Sequence, residues 1–112
     1  MASSSGKREL LPGTLDMLVL KTLTVQPMHG YGIAQHIQRL SNDVLRVEEG
    51  SLYPALQRLR QKGFIKAAWG QTPNNQRARY YTLTTSGRRA LGEEQAGFAE
   101  MLDAIARVMK TR

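Results

Sequence analysis

Between Phe64 and Leu83 the hydrophobic pattern of this chain changes its period, and that change limits the folds open to it. Phe64 to Trp69 and Ala78 to Leu83 are rich in aromatic and β-compatible residues, while the Gly70 to Arg77 segment between them holds Gly, Pro and two Asn. Such a pattern predicts a β-hairpin with a long polar tip. On both sides of it, apolar residues recur at spacings of three and four, the period of helices buried along one stripe. The order predicted is helix, helix, helix, hairpin, helix: a mainly α chain with one small β-hairpin and no internal repeat.

Pro12-Gly13 breaks the chain, and Thr14 is placed to cap a first helix running to about Val25. Leu15, Met17, Leu18, Val19, Leu20 and Leu23 leave this helix almost no polar face. A helix apolar all round must be covered on two sides. One cover is its own domain, and a second subunit is inferred for the other, met through Leu15 and Leu18. The His29-Gly30-Tyr31-Gly32 turn is too short for a dinucleotide fingerprint and leads into a second helix, with Ile33, Ile37 and Leu40 on one stripe and Ser41-Asn42-Asp43 at its end. Gly50-Ser51 opens a third helix. Ser51 at the cap places Pro54 in the first turn, where a missing N–H costs nothing. Leu52, Leu56 and Leu59 form its inner stripe, and Lys62-Gly63 is a C-terminal signature.

Thr84 or Thr85 then caps a last helix in which Leu91, Phe98, Leu102, Ile105 and Met109 form a seam, with Gln95 as one polar step. A seam that outlives its own domain calls for a partner helix. The resulting organisation is a flexible arm over residues 1–10, a helical domain with its hairpin over 11–84, and a dimerisation helix over 85–112.

A chain of 112 residues builds one modest core, and at that size oligomerisation often completes the burial. The absence of cysteine rules out a disulfide framework and thiolate chemistry, and fits a reducing cytosol. No apolar run approaches the roughly 20 residues of a membrane span, and the first residues lack the apolar core of a secretory signal, so a cytoplasmic protein with no membrane partner is expected. Catalysis has little to work with: two histidines, no HExxH and no Gly-rich phosphate loop. No enzyme activity, metal or cofactor is expected.

Charge is distributed in one informative way. Between Gly50 and Gly92 there is no acid, yet the segment carries Arg58, Arg60, Lys62, Lys66, Arg77, Arg79, Arg88 and Arg89, so the net +7 of the chain arises from a local basic face. Such a face steers polyanions. A helix-turn-helix followed by a hairpin is a winged helix, and the acid-free window begins at its third helix and runs through its wing. Those two elements are the ones that usually touch DNA.

Opposite the leucine stripe of the third helix stand Pro54, Gln57, Arg58 and Gln61, with Ser51 and Tyr53 toward its start. Gln57 can pair with adenine and Arg58 with guanine, while Ser51 and the free N–H groups at the helix start can hold a phosphate. On the wing, Asn75, Arg77 and Arg79 can enter a minor groove or lie along the backbone. Trp69 reads as a strand residue bracing the hairpin.

Several motifs resemble the PadR family of bacterial transcriptional regulators. They are Gly13-Thr14-Leu15-Asp16, Met28-His29-Gly30-Tyr31-Gly32-Ile33, the run from Gly50 to Leu59, Gly63-Phe64-Ile65, and Arg79-Tyr80-Tyr81-Thr82-Leu83-Thr84 with Gly87. The resemblance spans about Leu11 to Leu91 and, with a single C-terminal helix, is to the short subfamily. It implies a homodimer in which the last helix of one subunit packs on the first and last helices of the other. It also implies repression at promoters of transporter or stress genes, often the regulator's own, relieved by a small molecule expected to be a hydrophobic effector, and gives His29 a packing and capping role; two recognition helices related by a two-fold would demand an inverted-repeat operator. Multidrug-sensing relatives carry a ligand-stacking tryptophan on the last helix. This helix has none, and Phe98 is its one aromatic, so an effector pocket is expected around Met17, Phe98 and Leu102.

Overall fold

The computed structural model describes residues 10 and 12–111. In chain order its elements are α1 (Pro12–Thr22), β1 (Met28–His29), α2 (Gly30–Leu40), α3 (Glu49–Gln61), β2 (Ile65–Gln71), β3 (Arg77–Leu83) and α4 (Thr85–Met109). The winged helix-turn-helix with a C-terminal helix is observed, with one addition. Met28 and His29 pair with Tyr81 and Tyr80, which makes the hairpin a three-stranded antiparallel sheet in the order β1-β3-β2. A two-residue strand is too short to show a period in sequence. The arm expected over residues 1–10 lies outside the described residues except for Leu10, which packs half-buried against the core.

α1 begins at Pro12, a residue preadapted to a first helical position because it has no N–H to leave unpaired. Thr14 therefore lies inside the first turn and is not the cap, and the helix ends at Thr22 rather than Val25. The apolar surface of α1 is covered from within the chain, by α2, α3 and α4. Leu15, Val19, Leu20 and Leu23 meet Ile33, Leu52, Leu56, Leu59 and Leu91 in one core. This corrects the expectation for Leu15 and Leu91 as dimer residues: at 1% and 5% exposure they have no surface to offer a partner. Met17 is buried in the same core, so it does not line an open effector pocket. Leu18 stays half-exposed, over a hollow of about 200 Å³ shared with His36, Leu40 and Leu45.

The helix ends are closed by local chemistry. His29 caps α2, its Nδ1 accepting the Gly32 N–H at 3.0 Å, as the family resemblance implied. Past α2, Asn42 takes a left-handed φ of 54°, its N–H donating to the Arg39 carbonyl and that of Asp43 to Gln38. Past α3, Gly63 at φ 78° does the same, with its N–H on Arg60 and that of Phe64 on Leu59. Both satisfy carbonyls that a helix end leaves orphaned.

Thr84 caps α4 by accepting the Gly87 N–H at 3.0 Å, and its hydroxyl donates to the Gly63 carbonyl at 2.7 Å. The start of α4 is thereby fastened to the end of α3. Gly87 is required there, since a Cβ on it would stand 2.1 Å from the Phe64 carbonyl oxygen.

Beyond Leu91, α4 leaves its domain. Every residue from Gly92 to Thr111 is exposed, on a helix whose 25 residues span about 37 Å. Phe98, Leu102, Ile105 and Met109 lie on this part, joined by Met101 and Val108.

Candidate nucleic-acid interface

α3 opens earlier than its sequence suggested. Glu48 is its N-cap, in extended conformation and without a side-chain cap bond, and Glu49 and Gly50 precede Ser51 within the first turn. Ser51 is therefore not the cap, and its N–H already donates to the Glu48 carbonyl at 3.0 Å. The two carboxylates suit the positive end of the helix dipole. Pro54 consequently lies inside the helix, where it gives no N–H to the exposed Gly50 four residues back.

The periodicity of α3 sorts its side chains cleanly. Leu52, Ala55, Leu56 and Leu59 are buried, while Tyr53, Pro54, Gln57 and Gln61 form one exposed stripe, with Ser51 and Arg60 exposed at its margins. Arg58 departs from that stripe. Its Nη2 donates to Asp16 Oδ1 on α1 at 2.7 Å and its Nε to Oδ2 at 3.4 Å, a side-on fork on the carboxylate. The hydrogen bond to Asp16 raises the pKa of Arg58. In this structure the fork that the sequence pairs with guanine O6 and N7 is engaged within the fold, on Asp16.

The wing presents the opposite case. Register pairs Trp69 with Arg79 and Gln71 with Arg77, which puts Trp69, Arg77 and Arg79 on one face of the sheet. Trp69 is 59% exposed, and the guanidinium carbons of Arg77 and Arg79 lie 4.5 and 5.7 Å from its ring centroid. The tip closes through the Asn75 N–H on the Thr72 carbonyl and the Gln76 N–H on the Thr72 hydroxyl oxygen. Asn75 takes a left-handed φ of 65°, a conformation asparagine tolerates, and is exposed.

Helix and wing face each other. The start of α2, the side of α3 and the wing enclose a groove of about 640 Å³ whose walls include Tyr31, Tyr53, Trp69, Arg77 and Arg79. Tyr53 sits against Gly30, where a Cβ would come within 2.9 Å of its hydroxyl oxygen and 3.2 Å of its ring. Tyr31, 65% exposed, accepts a hydrogen bond from Gln35 Nε2 at 3.0 Å. Of the eight basic residues in the acid-free window, Arg58 alone forms an ion pair among the described residues. The structure thus brings Tyr53, Arg77 and Arg79 to one groove, places Gln57 and Gln61 along the adjoining stripe, and withdraws Arg58. Tyr31 and Trp69 were missed as site residues because their exposure depends on how α2 and the wing dock.

Residues 19–93, well over half of the chain, match the family described as "Transcriptional regulator PadR-like family". The chain belongs to that family. Among solved structures, this PadR-like chain is similar to a transcriptional regulator from Clostridium thermocellum, at 26% identity and TM-score 0.80, over 88% of this chain and 95% of that one. A PadR family transcriptional regulator from Eggerthella lenta is 30% identical, with TM-score 0.74, over 89% and 85% of the two chains. One from Clostridium difficile is 26% identical, with TM-score 0.73, over 85% and 97%.

Two sequence relatives carry no functional name. An uncharacterized protein X from Lysinibacillus sphaericus is 29% identical over 99 residues, 88% of this chain and 91% of that protein. An uncharacterized 37.1 kDa protein in transposon TN4556 of Streptomyces fradiae is 36% identical over 85 residues, 76% of this chain but 23% of the longer protein. The PadR-like family is one of transcriptional regulators, not enzymes, and among the described residues no group of His, Asp and Glu could hold a metal. No helix among them is long and apolar enough to cross a membrane.

Proposed function

We propose that this PadR-like regulator is a cytoplasmic homodimeric repressor that binds a double-stranded operator built as an inverted repeat. The observation that carries the reading is the acid-free segment from Gly50 to Gly92, in which the exposed stripe of α3 is followed by a wing whose two arginines have no carboxylate partner among the described residues. Gln57 and Gln61 read base edges in the major groove, flanked by Ser51, Tyr53 and Pro54. Asn75, Arg77 and Arg79 follow the backbone or the adjacent minor groove.

A second copy supplies the symmetry. Phe98, Leu102, Ile105 and Met109, together with Met101 and Val108, make an apolar stripe on the uncovered part of α4, and two such stripes cover one another. Leu18 joins the interface from α1. A two-fold pair of α3 helices requires half-sites about 10 bp, or a multiple, apart. A small hydrophobic effector binding beside Phe98 and Leu102 releases the operator by altering the spacing of the two helices.

The test is a fluorescence-anisotropy titration of the protein with the duplex upstream of its own coding region and with random duplex, at about 50 and 200 mM salt. A binder making about 6–10 phosphate contacts loses roughly 10³–10⁵ in affinity across that range and prefers one sequence. Equal and weak binding to both duplexes would exclude the proposal.

A further inference from the structure

Trp69 is the single tryptophan of the chain and is 59% exposed on the wing, a position at which burial explains nothing. Two guanidinium groups lie over its ring although no carboxylate is present between Gly50 and Gly92 to offset their mutual repulsion. Like charges held together without an acid leave the negative face of the indole as the attraction that gathers them. A guanidinium lying on a ring keeps its N–H edge free for oxygen acceptors and loses less rotamer freedom when it binds one. The stack also lines the groove that Tyr31 of α2 and Tyr53 of the α3 stripe line, so both cations belong to one hollow with that stripe's start.

We propose that Trp69 is a positioning residue that holds Arg77 and Arg79 as a preformed clamp for the phosphates of duplex DNA. This rests on the DNA-binding reading above and adds to it the means by which the wing arginines are aimed. Indole and arginines act as one unit, so their contributions to binding are coupled rather than additive.

The experiment uses the full chain and a labelled duplex, with anisotropy read below the melting temperature of each variant. Trp69→Ala weakens operator and random duplex alike, by about tenfold, whereas Trp69→Phe restores most of the affinity because a ring remains. Replacing both arginines by lysine keeps the charge but loses the planar stack, and is expected to match Trp69→Ala. In an Arg77→Ala/Arg79→Ala background, Trp69→Ala has no further effect. Acrylamide quenching of the lone indole in the free protein rises when both arginines are removed.

Additive losses, or an Ala variant that binds as the wild type does, would overturn the positioning role while leaving DNA binding intact. Failure of the wild type to bind any duplex removes both readings.

Discussion

Arg58 on α3 and Asp16 on α1 are joined side-on, Nη2 to Oδ1 at 2.7 Å, across 42 residues of sequence. The bond ties the helix that faces outward to the helix at the centre of the core, and it takes one arginine out of an otherwise unpaired basic face. The Arg58 side chain keeps 39% of its surface, so solvent weakens the pair relative to a buried one.

Arg58→Ala and Asp16→Asn should therefore each cost about 1 kcal/mol of stability, and the double variant little more than either alone. Urea unfolding of all four proteins gives the coupling directly. In binding assays Arg58→Ala should change operator and random duplex equally; a loss confined to the operator would restore a base-reading role to Arg58.

Gln57 is the contrasting residue on α3, exposed on the stripe and with no internal hydrogen bond among the described residues. Gln57→Ala is expected to cost about 1–3 kcal/mol on the operator and almost nothing on random duplex. A selection of bound sequences from a randomised pool should show relaxed preference at one base step.

At Gly87 even a methyl group has no room, since backbone and not a movable side chain lies 2.1 Å from where it would be. Gly87→Ala should destabilise the fold by about 2–3 kcal/mol and lower the urea midpoint without changing its slope. Wild-type stability in that variant would mean that α4 can shift freely against the Phe64 turn.

The stripe from Phe98 to Met109 should govern assembly. Leu102→Asp with Ile105→Asp is expected to convert a dimer to a monomer in sedimentation equilibrium with the helical circular-dichroism signal of the core retained. Operator affinity should fall by about 10²–10⁴, the advantage two linked sites have over one. A variant that remained dimeric would move the interface away from α4.

Phe98→Ala tests the effector site separately. It should weaken the response of operator binding to a small hydrophobic effector by about tenfold, as expected when a packed aromatic contact is lost. An unchanged response would exclude Phe98 from the site.

Much of this arrangement was legible before any coordinates. The hairpin, the four helices, the closing roles of Asn42 and Gly63 and the capping by Thr84 all depend on interactions within a few residues, for which composition and period suffice. The start of α3 was misplaced by three residues because Ser51 is the better cap by residue type, whereas the backbone turns at Glu48, where no side chain caps it. Exposed Trp69 looked structural since strand register, not order in the chain, sets it opposite Arg79.

The sequence by itself determined the four helices, the hairpin and their order, and that eight basic residues gather between Gly50 and Gly92 with no acid among them, whereas the strand β1, the end of α1 and the start of α3 escaped it. Only the tertiary structure decided which of those cations remain free, that Leu15 and Leu91 belong to the chain's own core, and that the apolar stripe of α4 runs on uncovered. The physical reason is one of range. Caps, turns and periodicity act over a few residues, whereas the partner of a guanidinium or the cover of a leucine depends on which distant element docks against it.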